Sequence, residues 1–199
     1  MSIYNLMSIA DTRFSSTETT TNRGTEDYLI IGYRASDSGT RRSHVKADFS
    51  SLAGKTILSA KFYLYGYNMI GTTSGTWSMY RSKRDWVETE ATWTRWKVGY
   101  NWSTAGGYST TDSETAAVEG AISSVAFAAA EGVGWKEFTL DLTKFTEMTN
   151  GTFTNNGFIF KTNSESGDNW NYFYSREKAG YEPYFLVEFV DNLTPLWFM

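Results

Sequence analysis

The sequence predicts an all-β, antiparallel jelly-roll sandwich of about ten short strands with one or two short helical turns. Two observations carry this. Aromatic residues make up 17% of the chain, and ring and β-branched side chains fit the pleated surface of strands. Short blocks of apolar–polar alternation recur along the chain, separated by Gly, Asn and Ser, with almost no stretch of helical period.

The strands are expected in order as follows. Residues 8–14 form an entry strand, and Thr21-Asn22-Arg23-Gly24-Thr25 is a turn. Tyr28–Tyr33 is a strand by its β-branched and aromatic content. From Arg42 to Phe49, Ser43, Val45, Ala47 and Phe49 face one way; Arg42, His44, Lys46 and Asp48 face the other, which reads as a solvated polar face. Residues 56–67 alternate most clearly, with Phe62 and Leu64 on the apolar side and Lys61, Tyr63, Tyr65 and Tyr67 opposite. Thr76–Arg81 is a strand, and residues 94–112 are a long Gly- and Ser-rich loop. Residues 113–130 are rich in Ala, but Gly120 interrupts them, so a strand is placed near 121–127. Gly134–Leu142 alternates, 143–149 makes one or two helical turns, and Asn155-Asn156-Gly157 is a tight turn. Residues 158–162, 171–175 and 184–190 are the last strands, with Pro183 at a strand start, where a missing N–H does least harm.

Composition excludes several classes. Cysteine is absent and histidine occurs once, so disulfides, zinc-thiolate sites and multi-histidine metal sites are out. The net charge is −4 and no basic run exceeds two residues, which leaves no electrostatic footprint for nucleic acid. No segment is apolar enough to span a membrane, and the N-terminus has no basic, signal-like region. No linker or internal repeat appears, so one domain over 1–199 is expected.

The densest motif is Asp85-Trp86-Val87-Glu88-Thr89-Glu90-Ala91-Thr92-Trp93. A glycosidase needs two opposed carboxyls, one with a raised pKa, and no supporting residue set surrounds Asp85, Glu88 and Glu90. Trp86 and Trp93 read as core residues at a corner of the sandwich. Exposed rings are better sought at Trp96, Tyr100, Trp102 and Tyr108 in the long loop and at Trp170 and Tyr172. Such rings either stack on sugar C–H faces or close the ends of the sandwich. Asp11, Glu18, Glu26, Asp37 and Glu188 could supply oxygens to a structural calcium ion, the sole cofactor considered.

A set of motifs in fixed order carries a family resemblance. They are Ala10-Asp11-Thr12, residues 21–25 leading into Leu29-Ile30-Ile31-Gly32, residues 42–52 and residues 57–65. Arg84-Asp85-Trp86 with Glu90-Ala91-Thr92-Trp93, residues 135–143 and 156–161 follow, and Phe173–Glu177 with Pro183–Glu188 end the set. The chain resembles the DNRLRE domain family over roughly residues 10–189, leaving 1–9 and 190–199 as extensions. The resemblance implies a non-enzymatic jelly roll, of a kind found as carbohydrate-binding modules and in phage structural proteins. Tyr108 departs from the pattern, standing where the family often has Asp. The expectation is a phage virion protein, a capsid decoration or a tail or fibre component at the virion surface, meeting neighbouring virion proteins or copies of itself. The alternative is an extracellular carbohydrate-binding module, with acidic polysaccharides among its ligands. The apolar tail residues Leu193, Leu196, Trp197 and Phe198 are the expected assembly contacts.

Overall fold

In a computed structural model the chain folds as the antiparallel sandwich the alternation predicts; the structure describes residues 1–192. Its strands are β1 (Ser2–Ser15), β2 (Tyr28–Arg34), β3 (Gly39–Ala47), β4 (Lys55–Asn68), β5 (Gly75–Arg81), β6 (Arg95–Lys97) and β7 (Tyr100–Asn101). These are followed by β8 (Ser123–Phe127), β9 (Gly134–Thr139), the helix α1 (Leu142–Thr149), β10 (Phe158–Thr162), β11 (Asn171–Tyr174) and β12 (Tyr184–Asp191). The expected assembly contacts Leu193, Leu196, Trp197 and Phe198 lie outside the described residues.

One sheet runs β1–β12–β4–β11–β2, with β9 also on β4; the other runs β1–β3–β10–β5–β8. Two strands serve both sheets. β1 pairs with β12 through residues 2–7 and from Ser8 with β3, with a bulge between Ser8 and Ala10. β2 pairs with β11 through residues 28–31 and with β3 from Gly32 onward. Gly32 makes that crossing at φ +134, against the backbone of Asn169 and Trp170, where a Cβ would collide.

The inward faces of the two sheets meet in a core dominated by phenylalanine: Phe62, Phe138, Phe158, Phe160, Phe173 and Phe185, with Trp77. Their rings meet edge-on or tilted, as Phe62 and Phe185 do at 4.7 Å, the geometry the ring quadrupole favours. Each such side chain contributes roughly 1.5–3 kcal/mol by burial.

Two expectations need correction. The first strand begins at Ser2, not at residue 8, because residues 2–7 pair with β12, Leu6 packs on the core and the partly exposed Tyr4 meets Phe189 edge-on at 4.7 Å. The polar face of β3 is not solvated. His44 and Arg42 are buried under the 82–112 segment, which lies over the outside of that sheet. His44 packs in a second cluster with Phe14, Trp86 and Trp102, and alternation within one strand cannot reveal a loop that folds back over it.

Candidate functional site

The outer face of the β12–β4–β11–β2 sheet carries a continuous array of partly exposed rings. On β4, Phe62 and Leu64 point into the core, so Tyr63, Tyr65 and Tyr67 must point outward. The same alternation turns Tyr172 and Tyr174 outward on β11, Tyr28 on β2 and Tyr184 on β12. Register then brings these rings together. Tyr67 stacks on Tyr174 at 4.3 Å and Tyr63 on Tyr184 at 4.9 Å. Tyr65 lies 5.8 Å from Tyr174, and Tyr172 is 5.5 Å from Tyr28 and 5.0 Å from Trp170. Trp135 of β9 and Tyr181 of the β11–β12 connection complete the array against Tyr65. Cross-strand aromatic pairs stiffen one another, so the face is preformed and loses little side-chain entropy on meeting a ligand.

The phenols are held neutral. Burial, with the Glu137 carboxylate accepting from its hydroxyl at 2.6 Å, pushes Tyr63 up to about 12. Burial among neighbouring rings does the same for Tyr67. Each hydroxyl therefore keeps its donor proton across the neutral range.

At the β2 end the ring array opens into a cleft of about 240 Å³ lined by Arg13, Arg34 and Arg41, by the carboxylates of Glu18 and Asp37, and by Tyr28, Trp170 and Tyr172. Arg13 donates to the Tyr28 hydroxyl at 2.9 Å and to Glu26 at 2.7 Å. The Arg34 guanidinium sits 4.8 Å from the Trp170 ring. Asn169 props this corner by accepting from the Tyr33 amide at 2.8 Å and donating to the Ser164 carbonyl at 2.7 Å. Arg41 is tied to Asp37, and Arg34, its side chain 42% exposed, reaches Asp37 only at 3.8 Å. Arg34 is thus the least engaged cation of the cleft.

The six rings singled out in the sequence fall in four places. Tyr172 joins the array and the cleft, while Trp170, buried at 9% exposure, packs against Tyr172 as part of the cleft wall. Trp96 and Tyr100 sit on the separate β6–β7 hairpin, 5.1 Å apart, with the Lys97 ammonium 4.6 and 4.7 Å from their centroids; Tyr100 is 56% exposed. Trp102 is turned into the second cluster, donating its indole N–H to the Thr92 carbonyl at 2.9 Å, and offers no face to a ligand. Tyr108 packs on Tyr80 at 5.0 Å beside Arg42 and Lys161, and its hydroxyl accepts from the Ala116 amide. Trp86 is buried and bonded to the Asn156 carbonyl, as a core corner requires, while Trp93 packs against Gly106 and Arg42 at the edge of that cluster.

The carboxylates of the central motif are each engaged. Glu88 forms a two-pronged pair with Arg176 at 2.7 and 2.8 Å and accepts from the Asp11 amide. Glu90 accepts from the Val98 amide, and Asp85 pairs with Lys46 at the surface. The five acidic residues considered for calcium do not converge. Asp11 accepts from the Arg176 amide, Glu18 and Glu26 pair with Arg13 and Arg23, Asp37 with Arg41, and Glu188 meets Ser59. Among the described residues no three metal-binding side chains gather.

The signal for the array was present as Tyr63-x-Tyr65-x-Tyr67 and Tyr172-x-Tyr174, a spacing of two that aims every ring to one side. A larger cavity of about 510 Å³ lies between the end of β3 and α1, lined by Ile9, Phe49 and Met148 together with Lys46, Asn150 and Asn155; it has donors, but Phe49 is its one aromatic ring.

No curated protein matches the chain. A family model described as carbohydrate-binding module family 96 matches residues 2–101. That segment spans β1 to β7 and holds Tyr28, Tyr63, Tyr65 and Tyr67 with Arg13, Arg34 and Arg41. The match covers half of the chain, and the chain belongs to carbohydrate-binding module family 96.

Proposed function

We propose that the protein is a non-catalytic module that binds a polysaccharide chain along the outer tyrosine face, with one end of the chain seated in the arginine-lined cleft. One observation carries this reading: the rings from Tyr172 to Tyr63 form an unbroken path across four strands. Aromatic faces pack against the C–H faces of pyranose rings, and an extended row of them suits a polymer rather than a single sugar. The cleft lies below the usual size of a drug-like pocket and accommodates one sugar unit. Arg34, the cation of the cleft least engaged by its own carboxylates, favours a chain bearing a carboxylate, because the guanidinium fork matches that group.

The resemblance to DNRLRE domains accords with this role. The virion placement expected from the sequence draws no support from the fold or the family match, so glycan binding is the leading reading.

Affinity electrophoresis through gels loaded with neutral or uronate-containing polysaccharides tests the proposal. Wild type is expected to be retarded by at least one gel, most strongly by a uronate polymer at low salt. Tyr65→Ala with Tyr174→Ala is expected to abolish the retardation, while Trp96→Ala with Tyr100→Ala leaves it intact. The reverse pattern would move the site to the β6–β7 hairpin.

A further inference from the structure

The outer edge of β1 is open. Residues 2–7 pair with β12 on one side, and among the described residues no strand pairs with the other. Open edges are normally blunted by Lys, Pro or an inward charge. Here residues 1–10, Met-Ser-Ile-Tyr-Asn-Leu-Met-Ser-Ile-Ala, contain no charged side chain, no proline and no glycine. Ile3 (55% exposed) and Met7 (45%) stand on the outer face of this edge, flanking Asn5. The β9 edge differs in carrying Lys136 and Glu137; β8 is also uncharged, but its exposed side chains are the small Ser124 and Ala126 rather than large apolar groups.

We propose that this edge pairs with the same edge of a second copy of the chain, joining the two sandwiches through one continuous antiparallel sheet. The segment is self-complementary. A two-fold axis perpendicular to the sheet is the operator that sets identical neighbouring strands antiparallel, and it pairs residues lying on the same face. Centred on Asn5, it sets Ile3 against the partner's Met7 and Tyr4 against the partner's Leu6, and the two Asn5 amides meet on the axis. Centred on Tyr4, it would set Ile3 against the partner's Asn5, apolar against amide. The Asn5-centred register is therefore the one the side chains select. Backbone pairing supplies affinity and the alternating side chains supply register, as in other strand-addition contacts.

The seam bears on ligand binding, and this part rests on the glycan reading. Met7 lies opposite Tyr184, so the ring array reaches the seam. The perpendicular axis turns both tyrosine faces to the same side. The two Tyr184 residues lie three strand spacings apart, about 14 Å across the strands, and about 13 Å apart along them. One polysaccharide chain can then engage both faces. A six-residue seam makes a weak, concentration-dependent dimer, but binding to a polymer gains from having two linked sites.

Sedimentation equilibrium across a wide concentration range tests the seam. Wild type is expected to show a reversible monomer–dimer equilibrium. Ile3→Lys with Met7→Lys sets like charges opposite each other at exposed positions and is expected to give a folded monomer throughout. Ile3→Lys with Met7→Glu is expected to restore the dimer, since each introduced lysine then faces an introduced glutamate. The double-lysine variant is expected to keep wild-type affinity for a short oligosaccharide and to lose at least tenfold in retention on the polymer. Wild type that stays monomeric, a dimer that survives both lysines, or a charge-swapped variant that stays monomeric overturns the proposal. Dimerisation that appears only after residues 193–199 are deleted also overturns it, assigning the edge to the chain's own C-terminal segment. Tyr65→Ala with Tyr174→Ala is expected to dimerise like wild type, so failure of the glycan reading leaves the seam standing.

Discussion

His44 is the residue whose environment departs most from its sequence context. It is fully buried among Phe14, Trp86 and Trp102, and neither ring nitrogen has a partner. Burial, with the Arg42 charge nearby, lowers its pKa from the usual 6.5 to about 3. The folded state therefore holds the ring neutral where the unfolded chain would protonate it. Stability linked to His44 is complete above pH 6.5 and is lost as the pH falls toward 3, amounting to a few kcal/mol over that window. Asp11 acts in the opposite sense: burial raises its carboxyl well above 3.8, so its share of stability grows as the pH falls. Replacing His44 with Phe removes both orphan nitrogens. Thermal melts of His44→Phe are expected to show a shallower loss of stability between pH 6.5 and 4 than wild type; an unchanged slope would show that His44 does not carry the acid sensitivity.

At the scale of elements, the strands were legible because a single period fixes which side chains enter the core. Trp77–Met79, Phe158–Phe160 and Phe185–Phe189 each announce a buried face. The helix was legible as a short turn, and its start depends on Asp141, whose carboxylate accepts from the Lys144 amide at 2.9 Å. Asp141→Ala is expected to cost about 1 kcal/mol, which a shift of roughly 2–4 °C in Tm would register. The 82–112 segment was not legible, because it is held by contacts with no period, the indoles of Trp86 and Trp102 and the buried carboxylate of Asp112. Asp112 accepts from the Ser103 and Thr104 amides at 3.0 Å each and from the Ser109 hydroxyl at 2.8 Å, and faces Arg84 at 3.2 Å. Asp112→Ala strands those donors, at roughly 1–3 kcal/mol for each one left buried. Limited proteolysis is expected to cut this variant between residues 103 and 111 under conditions that leave wild type whole. Equal resistance would mean that the loop is held by its rings alone.

At the scale of the molecule, the fold class could be read from the chain, but the candidate site only in part. Exposed rings are expected in loops, where function often lies, and that expectation covers Trp170 and Tyr172 but not Tyr63, Tyr65 and Tyr67 on a strand. A tyrosine on the polar side of a strand looks like ordinary alternation. Only strand order shows that three such strands lie side by side and merge their rings into one surface. The arginines of the cleft were hidden for the same reason: Arg13, Arg34 and Arg41 sit on three strands and meet where β2 crosses between sheets. Hydroxyl-radical footprinting of the protein with and without a saturating retarding polysaccharide tests the central claim most directly. Protection is expected at Tyr65, Tyr67, Tyr172 and Tyr174, with Trp96 and Tyr100 as reactive as in the free protein; protection confined to Trp96 and Tyr100, with the tyrosine face unchanged, would contradict it.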